Sequence, residues 1–208
     1  MLRFAWRDGE VSGARTVPDG DARATFILAH GAGGDMTHPT LVAIAEGLAA
    51  EGVAVVRFNF PYREAGKKTP DRQEKLEACY WAVAKEVSAS ADKLYLGGGS
   101  MGGRIATHIV SDGFPAAGLI LQSYPLHPPG KPERIRDEHL TRIAVPMLFL
   151  WGTKDAFGTA DLMKATIEKL PTATLYPIED GDHGLKVRGR KMADVHTEVV
   201  RVIADWVA

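Results

Sequence analysis

The sequence predicts an α/β protein, a three-layer αβα sandwich on a mostly parallel, doubly wound sheet. Two observations carry this. Short apolar runs alternate along the chain with longer stretches of helical periodicity, the pattern of repeated βαβ crossovers. Most of the short runs are apolar at nearly every position, as in strands buried on both faces beneath helices. In such sheets ligands bind at the carboxyl ends of the strands. Chemistry is therefore expected in the loops that follow the apolar runs.

The elements follow in order. The first 24 residues are the least patterned. They are read as an antiparallel pair at one sheet edge, with Asp19-Gly20 as the candidate turn. Thr25–Ala29 is the first buried strand. Residues 40–50 form a helix after a polar entry, and Gly52 stands where a C-cap is wanted. Val53–Phe58 is the next strand. Over residues 71–88 Leu76, Tyr80, Val83 and Val87 fall on one helical stripe. Lys93–Leu96 is a strand, and a helix over 103–112 sets Ile105 and Ile109 one turn apart. Gly118–Leu121, Met147–Trp151 and Thr174–Ile178 complete the strands. Helices over 160–169 and 191–207 complete the set, the last carrying Val195, Val199, Val202 and Trp206 on one face.

At 208 residues this reads as a single domain over 1–208. Hydrophobic residues at 45% and charged residues at 25% exclude a disordered chain or a coiled coil. The net charge of −1 argues against a nucleic-acid binder, which carries a basic excess. One cysteine, Cys79, excludes an intramolecular disulfide, a zinc ribbon and an iron–sulfur site. Charges break the N-terminal stretch at once, and no apolar run approaches membrane-spanning length. A reducing cytoplasm and no membrane partner are the expectations.

The strand Lys93–Leu96 runs into Gly97-Gly98-Gly99-Ser100-Met101-Gly102-Gly103-Arg104, which contains Gly98-x-Ser100-x-Gly102. A serine on a sharp strand-to-helix turn sits in strained backbone, and flanking glycines let strand and helix approach. The helix start supplies free N–H groups that favour a developing oxyanion. The same stretch also fits G-x-G-x-x-G, the dinucleotide fingerprint. That fingerprint wants an acid about 20 residues on, where this chain has Leu119-Ile120-Leu121-Gln122-Ser123.

A serine hydroxyl needs a base within hydrogen-bond reach and a carboxylate to orient that base. Asp155 lies in the loop after Met147–Trp151, 55 residues beyond Ser100. His183 lies after Thr174–Ile178, 28 residues further on. Asp155 alone reads equally well as a cap or turn residue. Order and placement together favour Ser100, Asp155 and His183 as nucleophile, orienting acid and base. Asp180 and Asp182 are rival acids that stand too close to His183 in sequence for this topology. His30-Gly31-Ala32-Gly33-Gly34 follows the first buried strand. The expected oxyanion donors are the backbone N–H groups of Ala32 and Met101, with His30 holding the loop.

On these residues the chain resembles the α/β-hydrolase superfamily. His30-Gly31-Ala32-Gly33, Gly98-Gly99-Ser100-Met101-Gly102, Gly152-Thr153-Lys154-Asp155 and Gly181-Asp182-His183-Gly184 match its landmarks in order, over roughly residues 25–207. The chain is similar to a small, lidless branch that includes dienelactone hydrolases and acyl-protein thioesterases. It is also similar to "alpha/beta hydrolase-like" proteins related to a subunit of a histone acetyltransferase complex. The resemblance implies a serine hydrolase acting on small acyl esters or thioesters through an acyl-enzyme. A non-catalytic scaffold on the same fold, or acyl transfer or carbon–carbon hydrolysis with the same residues, are the alternatives. Dienelactone hydrolases use cysteine where this chain has Ser100. The segment 122–146, where many members carry a cap, is short and rich in proline. It predicts one short helix around 133–142, no large cap and an open site.

Basic residues follow the strand ends: Arg63, Lys67, Lys68, Arg72, Arg104, Lys186, Arg188, Arg190 and Lys191. The bland reading is solvated surface, and the sharper one is an anionic small-molecule substrate. Gly31, Tyr62, Arg63 and Phe157 are the candidate substrate contacts, although aromatic residues more often serve packing. No metal or organic cofactor is implied, since the seven histidines show no H-E-x-x-H spacing.

Overall fold

The computed structural model describes residues 1–208. An eight-stranded sheet runs through its middle, with strands β1 (Leu2–Trp6), β2 (Gly9–Thr16), β3 (Ala24–Ala29), β4 (Val53–Phe58), β5 (Leu94–Gly99), β6 (Gly118–Gln122), β7 (Met147–Gly152) and β8 (Ala173–Ile178). The order is β1-β2-β4-β3-β5-β6-β7-β8. The first two strands pair antiparallel, β2 joins β4 antiparallel, and every other pairing is parallel.

Helices cover both faces. On one side α3 (Gln73–Ser88) and α4 (Met101–Ser111) bury a 32-residue core that includes Leu76, Tyr80, Val83, Val87, Ile105 and Ile109. On the other, α1 (Pro39–Ala50) and α6 (Met192–Trp206) bury a 21-residue core with Ile44, Leu48, Val195 and Val199. The strands divide between the two: Ile27 and Ala29 of β3 enter the first core, Phe26 and Leu28 the second. That alternation is why β3, β4 and β7 read as nearly continuous apolar runs, interrupted only by Thr25 and Arg57. Each is buried at every position.

Three local expectations are corrected. The edge hairpin turns at Arg7-Asp8, because Trp6 pairs with Gly9. Asp19-Gly20 lies instead in the connection from β2 to β3, two strands that are not neighbours in the sheet. The helix expected around 133–142 shrinks to a 3₁₀ turn over Glu138–Arg142. Upstream of it the Arg136 N–H bonds Leu126 O at 2.8 Å instead of a carbonyl four residues back, so the helical ladder does not form there. The helix after the serine starts at Met101, not 103, taking Gly102 and Gly103 into its first turn. Two short helices complete the fold: α2 (Pro61–Glu64), which the pattern did not reveal, and α5 (Ala160–Ile167). Between β6 and β7 the 3₁₀ turn is the only regular element, so no large cap covers the sheet end.

Candidate active site

Ser100 joins β5, which is flanked by β3 and β6, to α4. Its backbone sits at φ 49°, ψ −111°, a conformation that costs a non-glycine residue on the order of 1–3 kcal/mol. Close packing around the turn demands glycine at several positions, two of them against the end of β3. Gly98 has φ +150°, and a Cβ there would collide with the backbone of Ala29. A Cβ at Gly102 would stand 2.5 Å from Ala29 O and 2.8 Å from His30 O. The first turn of α4 thus rests directly on the end of β3.

The loops after β7 and β8 bring the other two residues to Ser100. Asp155 is buried, and its Oδ1 accepts the Phe157 N–H at 2.8 Å. Its Oδ2 lies 2.8 Å from His183 Nδ1, and His183 Nε2 lies 2.9 Å from Ser100 Oγ. The Asp155 side chain is fully shielded, whereas the His183 side chain keeps 31% of its exposure. A buried carboxylate facing Nδ1 selects the tautomer with its proton there, which leaves Nε2 free to accept from the serine hydroxyl. Phe157 packs its ring edge against the imidazole, with centroids 4.6 Å apart. The rival acids are engaged elsewhere. Asp182 Oδ1 accepts from the N–H groups of Gly184 and Lys186, and Asp180 pairs with Lys154 at 2.7 Å.

The amides at the helix start are free. The N–H groups of Met101, Gly102 and Gly103 have no backbone partner, and neither has that of Ala32. His30 shapes the loop that carries Ala32. It is completely buried, its Nε2 accepts the Phe60 N–H at 3.1 Å, and its Nδ1 faces Gly31 O at 2.8 Å. Burial lowers its pKa to about 4, so the ring is neutral near pH 7 with its proton on Nδ1.

These groups open into a cleft of about 750 Å³ lined by Gly31, Ala32, Ser100, Met101, Phe157 and His183 among others. Two expected substrate contacts lie elsewhere. Tyr62 is buried under the loop, and its hydroxyl donates to Ala32 O at 2.8 Å. Arg63 is paired with Asp35 at 3.1 Å. Both brace the loop and do not line the cleft. Of the basic residues singled out by sequence, Arg104 alone lines it, joined by Arg136 from the proline-rich segment. Nothing in the sequence distinguished Arg136 from its charged neighbours.

The fold is shared with several solved structures. An alpha-beta serine hydrolase homologue from Coxiella burnetii superposes with a TM-score of 0.78 at 23% identity, covering 97% of this chain and 96% of that one. Est1E from Butyrivibrio proteoclasticus, a structure with ferulic acid bound, gives 0.80 at 18% identity over 98% and 97%. A serine hydrolase without a lid from Xanthomonas campestris gives 0.74 at 22% identity over 99% and 93%. The eight-stranded, mostly parallel sheet without a large cap agrees with the fold of these neighbours. The family model described as an alpha/beta hydrolase domain matches residues 22–208, everything from just before β3 onward, and the chain therefore belongs to the alpha/beta hydrolase family.

Proposed function

We propose that this protein, acting as one domain over 1–208, is a serine hydrolase of small acyl esters or thioesters. The observation that carries this is the relay of short contacts from Asp155 through His183 to Ser100, 2.8 and 2.9 Å long. His183 Nε2 takes the proton of Ser100 Oγ as the oxygen attacks the acyl carbon. Asp155 holds the ring and offsets the charge of the imidazolium that forms. The tetrahedral oxyanion is received by the N–H groups of Ala32 and Met101. His183 then returns the proton to the leaving alcohol or thiol, which leaves an acyl-Ser100 that water hydrolyses by the same proton path.

The test is burst kinetics with p-nitrophenyl acetate beside Ser100→Ala. A burst and turnover in the native protein, with kcat lowered on the order of 10⁴–10⁶-fold in the variant, is the expected result. Equal slow rates in both proteins, together with no labelling of Ser100 by a fluorophosphonate, would overturn it. Labelling of Ser100 by a fluorophosphonate would separate an idle scaffold from a hydrolase tested on the wrong ester.

A further inference from the structure

Ser100, Arg104 and His108 are spaced four residues apart along α4. They therefore share one face of the helix. The cleft around Ser100 continues along this stripe into a second cavity of about 350 Å³. Gln73, Arg104 and Arg136 line both spaces, and His108, His139 and Arg142 line the second alone.

Arg104 is the unusual group here. Its guanidinium is largely withdrawn from water, yet no carboxylate pairs with it. Nη1 donates to Gln73 Oε1 at 2.8 Å and to His108 Nε2 at 3.2 Å. Burial, and then the charge of Arg136, lower its pKa. Arg136 is bonded within the chain through its backbone, its N–H reaching Leu126 O at 2.8 Å and its carbonyl facing Tyr124 Oη at 3.5 Å. Other arginines around the site are spoken for: Arg63 by Asp35 and Arg190 by Glu198.

The remaining groups do not cancel this charge. Asp71 lines the cleft with Oδ1 paired to Lys75 at 3.2 Å, while its Oδ2 is buried without a hydrogen-bond partner. Glu77 stands 3.8 Å from His108 Nδ1, on the far side of that ring from Arg104. Glu138 is an exposed residue of the second cavity. His108 and His139 stack with centroids 3.9 Å apart and an interplanar angle of 7°. Burial holds them at about 4 and about 3, so they are neutral near pH 7. The positive charge facing the shared space is thus that of two guanidinium groups without carboxylate partners. Arg104 is costly to desolvate alone, and both groups are suited to bidentate capture of a carboxylate or phosphate.

We propose that Arg104 and Arg136 bind an anionic group of the substrate. The enzyme is thereby directed to esters or thioesters that carry a carboxylate or phosphate a short spacer from the scissile carbonyl. This rests on the reading of Ser100 as nucleophile. Four residues of helix rise about 6 Å, which sets the scale of that spacer.

Two substrate pairs test it. Mono-p-nitrophenyl glutarate and its methyl ester place the charge on the acyl side. 4-Acetoxybutanoate and 4-acetoxybutanamide place it on the leaving side. In at least one pair kcat/KM should favour the anion on the order of tenfold, mainly through KM. That ratio should fall towards one in Arg136→Ala and in Arg104→Gln. Arg136 is exposed, so its variant remains informative if Arg104→Gln does not fold. Turnover of the neutral esters with no preference in either pair, or a preference that survives both variants, overturns the anion site and leaves Ser100 as nucleophile intact. If no ester of either kind is cleaved, the hydrolase reading is what has failed. The anion site is then judged by calorimetry of glutarate and of inorganic phosphate on Ser100→Ala. Binding of either that is lost in the Ser100→Ala, Arg136→Ala double variant sustains it and identifies which anion is preferred. No binding overturns it.

Discussion

The hydroxyl of Tyr80 accepts the N–H of Gly97 at 2.9 Å, three residues before Ser100. The same oxygen faces the carbonyls of Gly97 at 2.7 Å and of Ile27 at 3.0 Å. One phenol of α3 thus ties the end of β5 to β3, where the turn to Ser100 begins. The group is wholly buried, and burial pushes its pKa up, so it stays a neutral hydroxyl. Tyr80→Phe would leave the Gly97 N–H buried without that partner. The expected loss is about 1–3 kcal/mol, read from the urea midpoint at constant m. A change below a few tenths of a kcal/mol would show that the ladder closes over the gap.

The strained backbone of Ser100 makes an unusual prediction. At φ 49° a glycine is at ease and an alanine is not. Ser100→Gly should therefore be more stable than Ser100→Ala by about 1 kcal/mol, although both lack the hydroxyl. Thermal unfolding of the two variants side by side decides it. A less stable glycine variant would mean that the turn is not under strain.

Asp155 has both carboxylate oxygens committed, one to His183 and one to the Phe157 N–H. Asp155→Asn can keep the second contact through its amide oxygen while turning a donor towards His183 Nδ1. The ring would then be held in the wrong tautomer, and kcat on p-nitrophenyl acetate should fall on the order of 10⁴-fold. Stability should change far less, because the loop contact to Phe157 survives. Retention of more than a tenth of the native kcat would remove Asp155 from the role proposed for it.

The large-scale architecture was legible because burial on both faces leaves so little room for polar residues. The runs at 25–29, 53–58 and 147–151 announced the interior of a parallel sheet, and the glycines around Ser100 announced a tight strand-to-helix crossing. Ser100 and Asp155 were legible because each follows such a run; His183 follows the edge strand β8, of which only Ile178 is buried, and was placed by its order after Asp155 and its glycine neighbours. What failed depends on contacts that periodicity does not encode. Tyr62 and Arg63 follow β4 as a substrate contact should, yet a hydroxyl aimed at Ala32 O and an ion pair to Asp35 turn both into braces. Arg136 lies in an irregular, proline-rich segment with no period to give its direction. Only the path of the chain over the cleft brings it beside Arg104.

Acid should weaken the fold before it neutralises the carboxylates, and His30 gives the reason. Protonating Nε2 would remove the acceptor for the Phe60 N–H inside a site without water access. Burial accordingly lowers the pKa of His30 to about 4, and those of His108 and His139 to about 4 and about 3. In the unfolded chain each returns to about 6.5. Between these values the unfolded state binds protons that the folded state refuses. Stability is therefore complete above about pH 6.5 and is lost as pH falls towards 4. For His30 alone the loss by pH 5 is about 2 kcal/mol. Asp35, held at about 2 chiefly by hydrogen bonds from Thr37, acts below this window and does not offset it. Urea midpoints should fall steadily from pH 7.5 to 5. Burial lowers the pKa of His196 in the same direction. His108→Asn should flatten part of that slope, since it removes one of these four groups. Midpoints that stay level over this range would mean that the buried rings are protonated without cost.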